Sequence, residues 1–185
     1  MMAAFGRRGV RPVRSSTHPD GGQEPESTAP PLILWAAMVE GVTVVIEVAR
    51  EATDELVDAF ARLLPQLSRS ARPLDHEAIA RMLAHDANTV FVARVDGAIV
   101  GALTLVMVPI PSGLRARIED VVVDESARGH GVGAALTRAA VDLARSSEAR
   151  TIDLTSRPDR DSAGRLYERL GFRVRDSRLY RLADE

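Results

Sequence analysis

The stretch from Val121 to Leu136 constrains this chain more than any other: Val-Val-Val-Asp-Glu-Ser-Ala-Arg-Gly-His-Gly-Val-Gly-Ala-Ala-Leu. A β-branched run ends, a short polar loop follows, and three alternating glycines open a helical period carried by Val132, Leu136, Ala140 and Leu143. Glycine lets backbone N–H groups approach an anion closely, and a helix N-terminus adds partial positive charge. Arg128, just upstream, can place a fixed charge on the same anion. Together these predict a pyrophosphate cradle. Glycines that merely permit a tight loop are the plainer alternative.

The string Gly129-x-Gly131-x-x-Ala134 also fits the dinucleotide fingerprint of Rossmann enzymes, and Asp153 lies about 20 residues further on, as that fingerprint requires. Three features weigh against it. A hairpin and two helices precede the turn, Asp153 falls inside a short strand rather than at its end, and too little chain follows to build a six-stranded parallel sheet.

Around this segment, a chain of 185 residues with 45% apolar content suits one domain with a tail. Residues 1 to about 40 carry Gly, Pro, Ser and Thr without apolar period and read as a disordered extension, leaving 41–185 as the folded domain. Met38 is an alternative candidate for the native start. Residues 42–48 read as a strand. Thr53 caps a helix through Leu56, Phe60, Leu63 and Leu64 that ends at Pro65, and Asp75 caps a second with Ile79, Met82 and Leu83 inward. Strands at 89–95 and 98–108 join through Asp96-Gly97, a strong hairpin signal. A strand at 116–123, the long helix, a strand at 151–154 and a helix at 163–170 follow. That last helix stops at Gly171, and 172–174 with 179–182 close the sheet as a hairpin. The predicted class is α/β, an α+β mixed sheet ordered β-α-α-β-β-β-α-β-α-β-β.

Composition narrows the chemistry. Cysteine is absent, which excludes a disulfide, a cysteine zinc site and a cysteine nucleophile, and fits a reducing, cytoplasmic setting. All basic side chains besides histidine are arginine, so no lysine is available as a Schiff-base nucleophile or base. A net charge of −2 gives no pull towards nucleic acid. The apolar stretch at 30–39 is too short to span a membrane, and the arginines at 7, 8, 11 and 14 are followed by polar residues rather than a signal-peptide core. His18, His76 and His85 lack metal-like partners at ligand spacing, so no metal site is expected.

Arg128-Gly-His-Gly131-Val-Gly133 resembles the Arg/Gln-x-x-Gly-x-Gly/Ala signature of the GNAT superfamily of N-acetyltransferases, and Ala163-Gly-Arg-Leu-Tyr167-Glu-Arg-Leu-Gly171-Phe172 resembles its Ala-x-x-x-Tyr-x-x-x-Gly-Phe helix. The resemblance implies a GNAT-like fold and acetyl-CoA as acyl donor. It implies that the backbone of Val121, Val122 and Val123 pairs with the pantetheine arm. The amides of Gly129, His130, Gly131, Val132, Gly133 and Ala134 would hold the pyrophosphate. It also implies a bulge in this strand, a V-shaped slot beside 151–154, and an oxyanion-binding N–H near Val122. The family's common asparagine before the last helix is replaced here by Asp159, Arg160, Asp161 and Ser162.

Acyl transfer to an amine needs a base, oxyanion stabilisation and an acid for the departing thiolate. By the resemblance Tyr167 is the candidate acid; packing on its helical face is the alternative. Glu119, then Asp120, is the candidate base, and an ion pair with Arg115 or Arg117 is the alternative for Glu119. His130 is expected to contribute backbone only. Residues 65–74 and 109–115 should line the acceptor site, where Arg69, Arg72, Arg115 and Arg117 are candidates for binding an anionic substrate. The expected partner is a small-molecule amine, with a homodimer left open. An acyl-CoA-binding module with weak or no catalysis is the competing reading, and a nucleotide-dependent oxidoreductase is the third.

Overall fold

A computed structural model of the chain describes residues 35–39, 42–68 and 70–182. Readings that fall on 1–34, on 40–41, on Arg69 or on 183–185 lie outside the described residues. One sheet runs β1 (Trp35–Val39), β2 (Val42–Ala49), β3 (Asn88–Val95), β4 (Ala98–Ile110), β5 (Gly113–Val123) and β6 (Thr151–Leu154) in spatial as well as chain order. Neighbours are antiparallel except β5 and β6, which are parallel. Helices α1 (Asp54–Leu67) and α2 (His76–Leu83) lie between β2 and β3, α3 (Val132–Ser146) between β5 and β6, and α4 (Asp161–Arg169) after β6.

Local chemistry accounts for the joints. Thr53 Oγ1 accepts from the Leu56 N–H at 3.2 Å, and Asp75 Oδ1 from the Ala78 N–H at 2.8 Å, each satisfying an orphan donor of a first turn. Asp96 and Gly97 both take positive φ, 48° and 84°, as a two-residue hairpin that matches strand twist demands.

Helices cover both faces of the sheet. On one, α3 places Val132, Leu136 and Ala140 against Ile46, Phe91, Leu103, Leu105 and Ile118. On the other, Leu56, Phe60 and Leu63 of α1 and Ile79 of α2 meet Val90, Val92, Ala102 and Val122. Burying each of the larger side chains stabilises the fold by about 1.5–3 kcal/mol.

Three features depart from the sequence reading. The chain is ordered before residue 40, because Trp35–Val39 extends the sheet along β2; a strand that gains a ladder needs no apolar period of its own. The closing hairpin does not form: 172–182 carries no regular structure, and Val174 and Leu182 are more than nine-tenths exposed. Its arms are short and interrupted by Arg173, Arg175, Arg178 and Arg181, and an isolated hairpin is marginal in water. Finally, α1 continues through Pro65 to Leu67. Proline removes one helical donor, a small loss when Ser68 N–H still closes the last turn on the Leu64 carbonyl at 3.0 Å.

Candidate active site

β5 changes character half-way. Thr104 of β4 stands opposite Glu119 and Ala102 opposite Val122, so Leu103 faces two residues, Asp120 and Val121. Asp120 takes φ 51°, which an aspartate tolerates better than most side chains. The extra residue reverses the alternation: Ala116 and Ile118 point to α3, whereas Val122 points to α1. Before the bulge, Arg115, Arg117 and Glu119 lie on the α1/α2 side.

β6 pairs β5 only from Arg115 to Ile118. From Glu119 to Val123 the β6-facing edge of β5 has no strand beside it among the described residues, which is the geometry of a slot. The Asp124 N–H donates to the Val100 carbonyl at 2.8 Å. Because backbone groups alternate sides along a strand, the Val122 N–H is directed at β4, and those of Val121 and Val123 face the open edge.

The chain then makes a 3₁₀ turn (Glu125–Ala127) and enters α3 through Gly129 at φ 85° and Gly131 at φ 70°. Gly131 is the N-cap of α3; no side chain caps this end, and no acidic residue sits in its first turn. The first-turn N–H groups therefore point out with the helix's partial positive charge behind them. Packing fixes the end in place. A Cβ on Gly101 would meet the Val122 carbonyl oxygen at 3.0 Å and Leu136 Cδ1 at 3.2 Å, and one on Gly133 would meet Leu166 Cδ2 at 3.3 Å and Val123 Cγ2 at 3.7 Å. The end of β5, the start of α3 and the middle of α4 therefore converge at Gly133.

Two residues not singled out in the sequence organise this corner. Gln66 donates from Nε2 to Asp124 Oδ2 at 3.2 Å, while its Oε1 accepts from the Glu125 N–H at 2.9 Å and Arg128 Nη2 at 3.1 Å. Arg128 Nε also donates to the Val123 carbonyl at 3.1 Å, so its guanidinium braces the loop that precedes the cradle. Hydrogen bonds from the hydroxyl and N–H of Ser126 lower the pKa of Asp124, with Gln66 assisting. Arg160, at the N-cap of α4 where the family's asparagine was sought, donates from Nη2 to the Leu67 carbonyl at 2.9 Å. The end of α1 thus holds both the loop before α3 and the start of α4. The only sequence cue was a glutamine just past a proline taken as a helix stop.

Tyr167 is half-buried on α4, and no protein group among the described residues hydrogen-bonds its hydroxyl. Its ring meets Phe172 edge-on, with centroids 6.0 Å apart. This pair accompanies a helix end in which the Gly171 N–H bonds to Glu168 and the Phe172 N–H to Tyr167, with Gly171 at φ 90°. That is a left-handed C-terminal motif with its apolar contact, which accounts for Tyr167, Gly171 and Phe172 at this spacing. Burial raises the phenol pKa, opposed by the Arg160 charge, so the hydroxyl keeps its proton at neutral pH.

Glu119 forms an ion pair with Arg117, whose Nη2 also reaches Thr155 Oγ1 at 3.4 Å. Asp120, at the bulge, has its pKa raised by desolvation and by the Glu119 carboxylate. His130 is exposed in the cradle loop; His76 meets Asp54 at 3.0 Å, and His85 Nδ1 accepts from the Ala87 N–H. Arg72 is exposed on the loop after α1. No helix among the described residues is long and apolar enough to cross a membrane.

Residues 50–172 match the Acetyltransferase (GNAT) family. An acetyltransferase of Trypanosoma brucei has 32% identity and a TM-score of 0.64, with 76% of this chain and 99% of that one covered. A protein of Bacillus halodurans described as a transcriptional regulator has 28% identity and a TM-score of 0.62, covering 77% and 99%. AAC(6')-Iy, solved with a bisubstrate analogue containing CoA, has 18% identity and a TM-score of 0.64 over 76% and 98%, a likeness of fold alone.

Proposed function

Since this chain belongs to the Acetyltransferase (GNAT) family, we propose that it moves an acetyl group from acetyl-CoA to a primary amine by direct attack in a ternary complex. The observation that carries this reading is the junction of a bulged, one-edged β5 with the uncapped, glycine-opened end of α3. The slot suits an extended pantetheine arm along Val121 and Val123, and the helix end suits a pyrophosphate on the amides of Gly129 to Ala134.

Acetyl-CoA supplies an activated acyl carbon and a thiolate leaving group. The open-edge N–H of Val121, nearer than Val123 to Glu119, stabilises negative charge on the acyl oxygen. Tyr167, protonated and with no hydrogen-bond partner for its hydroxyl among the described residues, gives its proton to the departing sulfur. Either Glu119 or Asp120 takes the ammonium proton. The raised pKa of Asp120 favours it as acceptor, while Glu119, held by Arg117, is better placed to orient the amine.

The second reading is a CoA-binding module without turnover, supported by the engagement of Glu119 with Arg117; the Bacillus halodurans relative carries a regulatory description. One experiment separates the readings. Acetyl-CoA and NAD(P)H are titrated against the melting temperature, and thiol release is then followed with a panel of amines. A ligand that binds only the folded state raises the melting temperature. Acetyl-CoA stabilisation with thiol release supports the enzyme, stabilisation without release on any amine supports the module, and no stabilisation at millimolar acetyl-CoA overturns both.

A further inference from the structure

The half of β5 that precedes the bulge presents Glu119, Arg117 and Arg115 in a row on the face that α1 and α2 leave partly open. Their cross-strand partners Thr104, Val106 and Val108 and, on β6, Thr151 opposite Arg115 fix that face. Alternation sends Ala116 and Ile118 to the buried α3 side, so the three charged side chains cannot be core residues turned the wrong way. Successive members of the row lie about 6.7 Å apart along the strand, so Arg115 starts roughly 13 Å from Glu119.

The two arginines differ. Arg117 is neutralised by Glu119. Arg115 takes part in none of the ion pairs among the described residues. Its Nε is buried without a hydrogen-bond partner, and its Nη atoms make only long contacts, 3.4 Å each, to Thr151 Oγ1 and Ser112 Oγ. A buried guanidinium N–H without an acceptor is costly. Two hydroxyls beside a fork of N–H donors form a donor set suited to an oxyanion.

Resting on the acetyltransferase reading above, we infer that the acceptor amine carries an oxyanionic group, a carboxylate or phosphate, that Arg115 holds with Ser112 and Thr151 while its amine lies at the Glu119 end of β5. The anion engages the Arg115 Nη donors, whose contacts to the two hydroxyls are long. Arg117, committed to Glu119 and Thr155, sets the spacing between the two ends of the substrate. The preferred acceptors are therefore elongated ω-amino acids or amino phosphates, with the charge several bonds from the nitrogen.

The test uses the full chain with acetyl-CoA and matched acceptors: glycine, 4-aminobutanoate and 6-aminohexanoate, the methyl esters of the last two, and 2-aminoethyl and 4-aminobutyl phosphate. The proposal expects KM for the longer anionic amines to be at least about tenfold below that of their esters, with glycine poor because it cannot span the row. The carboxylate and phosphate arms then identify which oxyanion is preferred. Arg115→Met, which keeps the apolar stem, should erase the preference while leaving acetyl-CoA stabilisation and KM for the esters in place. If Arg115→Met fails to fold, Thr151→Val serves instead and should weaken the same preference. Equal KM for anionic and ester acceptors, or an equal loss for both in either variant, overturns the subsite while thiol release still upholds the acetyltransferase. If no acceptor is turned over but acetyl-CoA still stabilises the fold, the melting temperature with CoA and each acceptor decides. Stabilisation by 6-aminohexanoate and not by its ester keeps the subsite, and none by either anion class rejects it.

Discussion

The starts of α1 and α3 are built to opposite rules. At α1, Thr53 fills an orphan N–H, and Asp54 and Glu55 place negative charge in the first turn; Asp75 and Glu77 do the same at α2. Both ends are satisfied from within the chain. At α3, two left-handed glycines deliver the backbone, no side chain caps it, and the first turn holds no carboxylate. A cap is typically worth about 1 kcal/mol, so an end that forgoes one is either poorly stabilised or completed by something else. The close packing at Gly101 and Gly133 shows that the α3 end is held rigidly while its N–H groups stay open.

That contrast can be broken most severely at Gly131. A β-branched residue at φ 70° is strained by about 1–2 kcal/mol or more and closes the approach to the amides. Gly131→Val should weaken acetyl-CoA binding by about a hundredfold, read as loss of the ligand-induced rise in melting temperature. Unchanged binding by that variant would make the glycines structural only. Tyr167→Phe tests the neighbouring helix: turnover should fall about a hundredfold with acetyl-CoA affinity unchanged, as measured by thiol release and by titration. Near-normal turnover would leave the tyrosine with its packing on Phe172 alone.

Gln66→Ala and Thr53→Ala sharpen the comparison as a pair on one helix. The first removes the brace on the loop before the open end and should raise the dissociation constant for acetyl-CoA about tenfold, with little change in melting temperature. The second removes a cap and should cost about 1 kcal/mol of stability with no change in acetyl-CoA affinity. If the two variants behave alike, the division between ends built for stability and ends built for a ligand fails.

The smallest effect concerns the bulge that leads to the open end. Asp120 has its folded pKa raised by burial and by Glu119, so the stability its neutral form contributes is present below the ordinary aspartate value and lost as pH rises through the raised one. Asparagine accepts the left-handed backbone equally well. Asp120→Asn should melt slightly above the parent chain at neutral pH and match it at about pH 3. A constant offset across that range would assign the effect to something other than the carboxylate.

What was legible in the sequence follows the same division. Local signals were readable: the caps at Thr53 and Asp75, the Asp96-Gly97 turn, the glycines opening α3 and the Gly171 stop each act through neighbouring backbone. Signals that depend on distant partners were not. Trp35–Val39 is a strand only because β2 offers a ladder, and 172–182 stays irregular although its pattern suggested two strands. Gln66 and Arg160 act across separations of about 60 and 90 residues, and no spacing rule announces such contacts. Glu119 was legible as a residue of interest, but its pairing with Arg117 rather than Arg115 follows from side-chain reach on the folded strand.

The bulge at Asp120 also divides β5 into two segments whose side-chain alternation is set separately. On the acetyltransferase reading proposed above, residues before it would meet the incoming amine, and residues after it would give the backbone edge beside the acyl donor. Because the extra residue resets the alternation, a side-chain substitution at Arg115 leaves the facing of Val121 to Val123 unchanged. On the acetyltransferase reading, substitutions near Arg115 are therefore expected to change the acceptor while leaving the donor edge of β5 in place.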